Sequence, residues 1–228
     1  MMNKPRGRRN IPTILISFGR HLVYAEGTKT EPLYVEDLRV FVSEQLGVSK
    51  EDIEIVPVKM KKSHHTVDLA NFAIEDVKAR RLKNESIDYV WIFYDKDDYQ
   101  DFNEAYQLIK EQNKLDRETE WFACWSNECF EVWVYHYFEN LETPIPRDQY
   151  EEKINSFLRR SGCKEKYSKN NPHLHKFLSD NGGDIRKATQ LMKKKDVESD
   201  IKPNPSSGIY QFAEFVLTYI DDKNKSKK

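Results

Sequence analysis

The chain has 228 residues, 38% hydrophobic and 33% charged, with a formal net charge of −1. That is enough apolar side chain to bury a core and exclude a disordered chain, but no apolar run approaches the roughly twenty residues of a membrane-spanning helix. A charge near zero argues for no partner class, because a basic groove can be balanced by acidic flanks. Cys124, Cys129 and Cys163 lack CxxC spacing, so neither a disulfide framework nor a zinc site is expected.

Residues 1–20 form a basic arm. No signal-type apolar segment follows its first ten residues, which leads to an expectation of cytoplasmic residence. Within the arm, residues 13–18 fit either a further strand or part of the arm. A strand over 21–25 then ends in Glu26-Gly27. A helix over 31–46 follows, with Leu33, Tyr34, Leu38, Phe41, Val42 and Leu46 at helical spacing. Thr30 before Glu31-Pro32 suits an N-cap with proline in the first turn. The second strand, 53–58, contains Pro57 and is expected at an edge or a strand end. A helix over 67–82 leads to a third strand, 89–94, which is apolar throughout and so central. It ends in Asp95-Lys96-Asp97-Asp98. A helix over 101–115, with Asp101 as its candidate cap, precedes a fourth strand, 120–125. An aromatic helix is expected over 128–139, with Ser126 or Asn127 as its N-cap and Glu128 at the positive end of its dipole.

This alternation predicts an α/β fold over residues 21–140: a mainly parallel sheet with helices on both faces. Thr143-Pro144-Ile145-Pro146 marks a linker. Residues 141–228 are expected to form a C-terminal helical extension packed on the sheet, with helices near 148–160, 184–195 and 209–220. Polar, proline- and glycine-containing stretches separate these helices, and the lysine-rich tail is expected to fray.

The chemistry lies at the strand ends. In an open parallel sheet, right-handed crossovers place the carboxyl ends of the strands on one rim, where ligands bind. Glu26 and the cluster Asp95, Asp97 and Asp98 fall there. Crowded carboxylates are costly unless protonated or paired, and a hard divalent cation is their natural partner. Gly27 would let backbone approach a bound group. Glu131 lies in the otherwise apolar run Phe130-Glu131-Val132-Trp133 and joins the set as ligand or base. Lys29 and Lys96 are the nearest candidates to contact phosphate, and Asn127 is a secondary one. His64-His65 falls in a loop, where Lys61 or His65 could touch phosphate. His173 and His175 have strand-like spacing without an accompanying acid or cysteine motif, and His136 reads as a satisfied core or surface histidine. The basic runs at 4–9, 159–169 and 193–195 are ordinary solvated surface unless they line a groove. There is no P-loop and no Gly-x-Ser-x-Gly elbow.

Three motifs together resemble the RloB-like family: Tyr24-Ala25-Glu26-Gly27-Thr28-Lys29-Thr30-Glu31-Pro32-Leu33-Tyr34, Phe93-Tyr94-Asp95-Lys96-Asp97-Asp98, and Ser126-Asn127-Glu128-Cys129-Phe130-Glu131-Val132-Trp133. Lys166-Tyr167-Ser168-Lys169 and Asn204-Pro205-Ser206-Ser207 extend the likeness to about residues 20–220. Glu128 departs from it, standing where that family usually has proline. The resemblance implies a Toprim-like fold in which Glu26 is the catalytic glutamate and Asp95 and Asp97 are an Asp-x-Asp pair binding Mg²⁺ or Mn²⁺. It also implies nuclease action on DNA or RNA in prokaryotic anti-phage defence or abortive infection, often beside an ABC-type ATPase. The residues alone leave open a Mg²⁺-dependent phosphotransfer or receiver-like domain, or a non-catalytic effector that binds an ATPase.

Overall fold

The computed structural model describes residues 18–58, 66–96, 101–196 and 202–226. Strands β1 (His21–Ala25), β2 (Ile53–Ile55), β3 (Tyr89–Asp95) and β4 (Glu120–Ser126) form one all-parallel sheet in the order β2-β1-β3-β4. Helices α1 (Thr30–Leu46), α2 (Thr66–Arg81) and α3 (Phe102–Leu115) alternate with the strands. After β4 come α4 (Glu131–His136), α5 (Gln149–Arg160), α6 (Leu174–Asp180), α7 (Ile185–Lys195) and α8 (Tyr210–Ser226). The fold is therefore α/β with a C-terminal helical part.

Side-chain alternation along the strands assigns the two faces. Leu22, Tyr24, Val90, Ile92 and Tyr94 pack with Leu69, Ala73, Ala105 and Ile109 of α2 and α3. Val23, Ala25, Trp91 and Phe93 pack on the opposite face with α1 and the helices after β4. That second core runs without a break through Tyr34, Trp133, Leu158, Leu178, Ala188 and Phe212. Residues on both sides of Asn140 thus share one interior. Phe18 joins it too, with its ring 5.0 Å from Tyr219 and 5.9 Å from Phe215. Residues 13–17 lie outside the described residues.

Several local expectations are corrected. Strand β2 stops at Ile55, because an edge strand next to Pro57 has little ladder to extend. Lys29, not Thr30, occupies the N-cap position of α1, and Thr30 is already helical. Asp101 does not cap its own helix: its Oδ2 accepts from the Val67 backbone N–H at 3.1 Å, so it caps the start of α2. Strand β4 runs through Ser126, and α4 begins only at Glu131 with no side-chain cap. The Ser126 or Asn127 cap and the Glu128 dipole role therefore fall away. Glu128 instead turns the chain with φ of 95°, a backbone closed to the proline that the resemblance would put there. Helix α6 lies in a stretch expected to be irregular, and His173 and His175 sit at its start, without strand spacing. Helix α8 continues to Ser226 where fraying was expected.

Phe212 tests the shared interior. It is fully buried, with its ring 5.0 Å from Trp91 and 5.8 Å from Phe93. Phe212→Ala should cost about 3–5 kcal/mol, the usual range for emptying such a site. Urea unfolding followed by tryptophan fluorescence and by circular dichroism should show one transition moved to lower urea. A separate early transition confined to the helical part would contradict a common core.

Candidate active site

Register brings the acids together. Ala25 pairs with Phe93, and the Glu26 N–H donates to the Phe93 carbonyl at 2.9 Å. Asp95 pairs with Ser126 across the other ladder. The ends of β1, β3 and β4 therefore stand side by side. Glu26 Oε2 accepts from the Asp95 backbone N–H at 3.4 Å, a weak contact that ties the two strand ends. They open onto a cleft of about 430 Å³ whose walls include Glu26, Glu31, Asp95 and Glu131. Lys29, at the N-terminus of α1, lines the same cleft.

The cleft also draws on the chain beyond the linker. Arg147 and Lys169 line it, as does Asn170. The Lys169 ammonium lies 2.9 Å from Glu131 Oε1, and the Tyr167 hydroxyl donates to the same oxygen at 2.9 Å. Arg147 Nη2 stands 4.0 Å from Asp95 Oδ2. Glu131 is 4% exposed and Asp95 14%, while Lys169 and Arg147 are each 47% exposed. The floor is acidic and largely buried, and its counter-charges reach in from the mouth.

Desolvation sets the proton affinities. Burial pushes Glu26 up to about 7 from 4.5, partly offset by the Asp95 N–H and reinforced by the charges of Glu31 and Asp101. Burial raises Asp95 well above the usual carboxylate range, with Glu31 and Glu131 adding to the rise and Arg147 and the Phe130 N–H opposing it. Burial raises Glu31 as well. Glu31 was not among the expected site residues, yet its carboxylate folds back over Gly27. The side-chain end of Glu31 thus takes the space beside Gly27 that a bound group was expected to fill.

The remaining candidates fall elsewhere. Asp97, Asp98, Lys61, His64 and His65 lie outside the described residues. Lys96 donates its backbone N–H to the Ser126 carbonyl at 2.9 Å and is not among the residues lining the cleft. Asn127 is a latch: its side-chain amide donates to the carbonyls of Lys202 and Pro203 at 2.7 and 2.9 Å, and its backbone N–H to Ser206 O at 2.9 Å. This fixes the strip before α8 against the end of β4, where Gly208 N–H also donates to Trp125 O at 2.7 Å. His136 is buried, with Nδ1 donating to Val132 O at 2.7 Å and Nε2 accepting from Leu141 N–H at 3.3 Å. His175 packs its ring against Phe41 and bonds the Tyr137 hydroxyl through Nδ1 at 3.1 Å. In the basic runs Arg159 pairs with Glu152 and Lys193 with Glu214, both at 2.7 Å and outside the cleft, and residues 4–9 lie outside the described residues.

A family model described as RloB-like protein matches residues 21–216 of the chain. No curated protein and no solved structure matches it.

The raised affinity of Glu26 has a definite pH signature. A carboxyl whose folded value is about 7 and unfolded value 4.5 contributes stability that is fully present below 4.5 and is lost as pH rises through 7. His21, His136 and His175 are lowered to about 4, chiefly by burial, and act in the opposite sense, losing stability as pH falls below 6.5. Comparing wild type with Glu26→Gln cancels the histidines, because both proteins carry them. In EDTA, the melting temperature of wild type should fall relative to Glu26→Gln as pH is raised from about 5 to about 8. Parallel pH curves would remove Glu26 from the dry part of the cleft.

Proposed function

The chain belongs to the RloB-like protein family, and we propose that it is a metal-dependent nuclease of the Toprim type, hydrolysing phosphodiester bonds of nucleic acid. The observation that carries this reading is the placing of Glu26 and Asp95 on adjacent parallel strand ends, in one cleft with Glu31 and Glu131.

The donors suit Mg²⁺ or Mn²⁺ in kind, since all are hard carboxylate oxygens. Among the described residues no group of three ligating side chains is gathered to hold an ion by itself. That is compatible with Mg²⁺, which usually takes one or two carboxylates and completes its shell with water and substrate phosphate. Asp95, Glu131 and Glu26 would hold it, with Asp97 as the further ligand that the Asp-x-Asp pattern supplies. When bound, such an ion polarises a phosphoryl oxygen and makes a nucleophile of water near neutral pH.

The chain's own groups do the rest. Where Glu26 is not itself a ligand, its raised proton affinity suits it instead to take a proton from an attacking water and give it up again. Lys29 and Arg147 hold the anionic phosphodiester against the acidic floor. A cation bound at Asp95 would favour the ionised form that burial otherwise disfavours, and in that poorly hydrated place the charge would act strongly. The antiviral setting and the ABC-type ATPase partner belong to the same proposal and rest on the family resemblance.

The test is to incubate the purified chain with plasmid, single-stranded DNA and total RNA, in EDTA and in millimolar Mg²⁺ or Mn²⁺. Cleavage should require metal. Glu26→Gln and Asp95→Asn should each lower it by about a hundredfold or more while leaving a folded protein. Metal should also stabilise the wild type, by about 2.7 kcal/mol at a hundredfold excess over Kd. Asp95→Asn should gain far less in a thermal melt and should be slightly the more stable of the two in EDTA. An equal metal response in both would exclude Asp95 as a ligand. A metal response without cleavage of any substrate would favour a non-catalytic effector or a phosphotransfer domain.

A further inference from the structure

The C-terminal part delivers two cations to the acidic cleft, and their geometry sets them apart from the basic residues of that part that pair at the surface. Arg159, Lys193 and Arg186 meet exposed or half-exposed acids on the outer surface. Lys169 and Arg147 instead reach carboxylates that are almost wholly buried, while their own side chains stay half open at the mouth. Simple neutralisation of Glu131 accounts for the contact between Lys169 and that residue. It does not account for Lys169, Asn170 and Arg147 all lining the cleft together with the strand ends.

Resting on the nuclease reading, we propose that Lys169 and Arg147 form the arm that binds the substrate's phosphate, and that Lys169 holds Glu131 only until a divalent cation takes that carboxylate. Two positive charges on one carboxylate, a few ångströms apart, repel strongly in a poorly hydrated site. A cation on Glu131 therefore weakens its hold on the ammonium. Lysine suits this exchange, because its charge is a compact point on a flexible four-carbon stem with three donors. The released ammonium stays anchored at Lys169, beside the strand ends, where the phosphodiester must lie. Tyr167 keeps its hydroxyl on Glu131 throughout, so the carboxylate is not left unpartnered when the lysine leaves. Metal entry and substrate entry are thereby coupled through one side chain.

The coupling predicts opposite effects from one substitution, which a purely structural lysine would not give. Lys169→Met keeps the length of the stem and removes the charge. Calorimetric titration with Mn²⁺ alone should show affinity raised about threefold or more, because a competing charge is gone. Anisotropy of a labelled single-stranded oligonucleotide with phosphorothioate linkages, in Mn²⁺, should show binding weakened about fivefold. Its salt dependence should be shallower by about 0.7 in log–log slope, the share of one phosphate contact. Arg147→Gln should weaken the oligonucleotide in the same way, and Lys166→Met, outside the cleft wall, should change neither quantity. Loss of both affinities in Lys169→Met, or no change in either one, overturns the inference and leaves the nuclease reading standing. A wild-type chain that binds neither Mn²⁺ nor the oligonucleotide overturns both.

Discussion

The structure around the cleft depends on one unfavourable term: four carboxylates brought close together where water is scarce. Taking a charge out of water costs several kcal/mol, and neighbouring like charges add to it. The fold meets that cost from several directions. Backbone N–H groups of Asp95 and Phe130 point at carboxylates. A tyrosine hydroxyl and a lysine converge on Glu131, and Arg147 stands off Asp95. What remains appears as raised proton affinity in Glu26, Glu31 and Asp95. A cluster of acids that served only to stabilise the fold would be a poor design, because apolar residues of the same size would do better. Its retention at the rim of a parallel sheet is the physical ground for assigning it a cation and an anionic substrate.

Such a site has to be held rigidly, and the helical part after the linker does this. Asn127 spends its backbone N–H and its side-chain amide on the strip before α8. Ser207 adds a bridge to Ser126, and its hydroxyl donates to Trp125 O at 3.0 Å. The end of β4 is thus pinned from outside the sheet, and the turn through Glu128 can aim Glu131 into the cleft. On the other flank, Trp133 Nε1 donates to the Tyr34 hydroxyl at 2.8 Å, which lies 2.6 Å from the Tyr137 hydroxyl. This buried chain joins α1 to α4, the two helices that carry Glu31 and Glu131. Both acids therefore move with the packed core, since fully satisfied buried polar networks stiffen what they connect.

The sheet was legible because its strands are short apolar runs, two of them running into acid, and parallel direction follows from β-α alternation. From that alone, Glu26 and Asp95 could be placed on one rim. Element ends were less legible. Ser126-Asn127 has the chemistry of an N-cap, but Asn127 makes better bonds to a segment some 75 residues away. Tertiary pairing of this kind leaves no local trace. Glu31 was visible only as part of the Glu26–Tyr34 motif, because nothing in the sequence says that its carboxylate turns back over Gly27. Arg147 and Lys169 were hidden among basic residues that mostly stay at the surface. The one available signal for Lys169 was its place in Lys166-Tyr167-Ser168-Lys169, whose tyrosine and lysine both reach Glu131.

That last pair explains why the motif is spaced as it is. Tyr167 and Lys169 are two residues apart, and both touch Glu131 Oε1. Tyr167 is buried and Lys169 is exposed. The Tyr167 N–H donates to Asn155 Oδ1 of α5 at 2.8 Å, which fixes the backbone just ahead of the lysine. In the proposed exchange the tyrosine stays on the carboxylate and the lysine leaves, since only the exposed charge can leave without abandoning a buried group. A permanent neutral donor beside an exchangeable charged one lets Glu131 keep its position while its counter-charge changes. A residue meant to receive a cation needs that property, and a residue meant only to be neutralised does not.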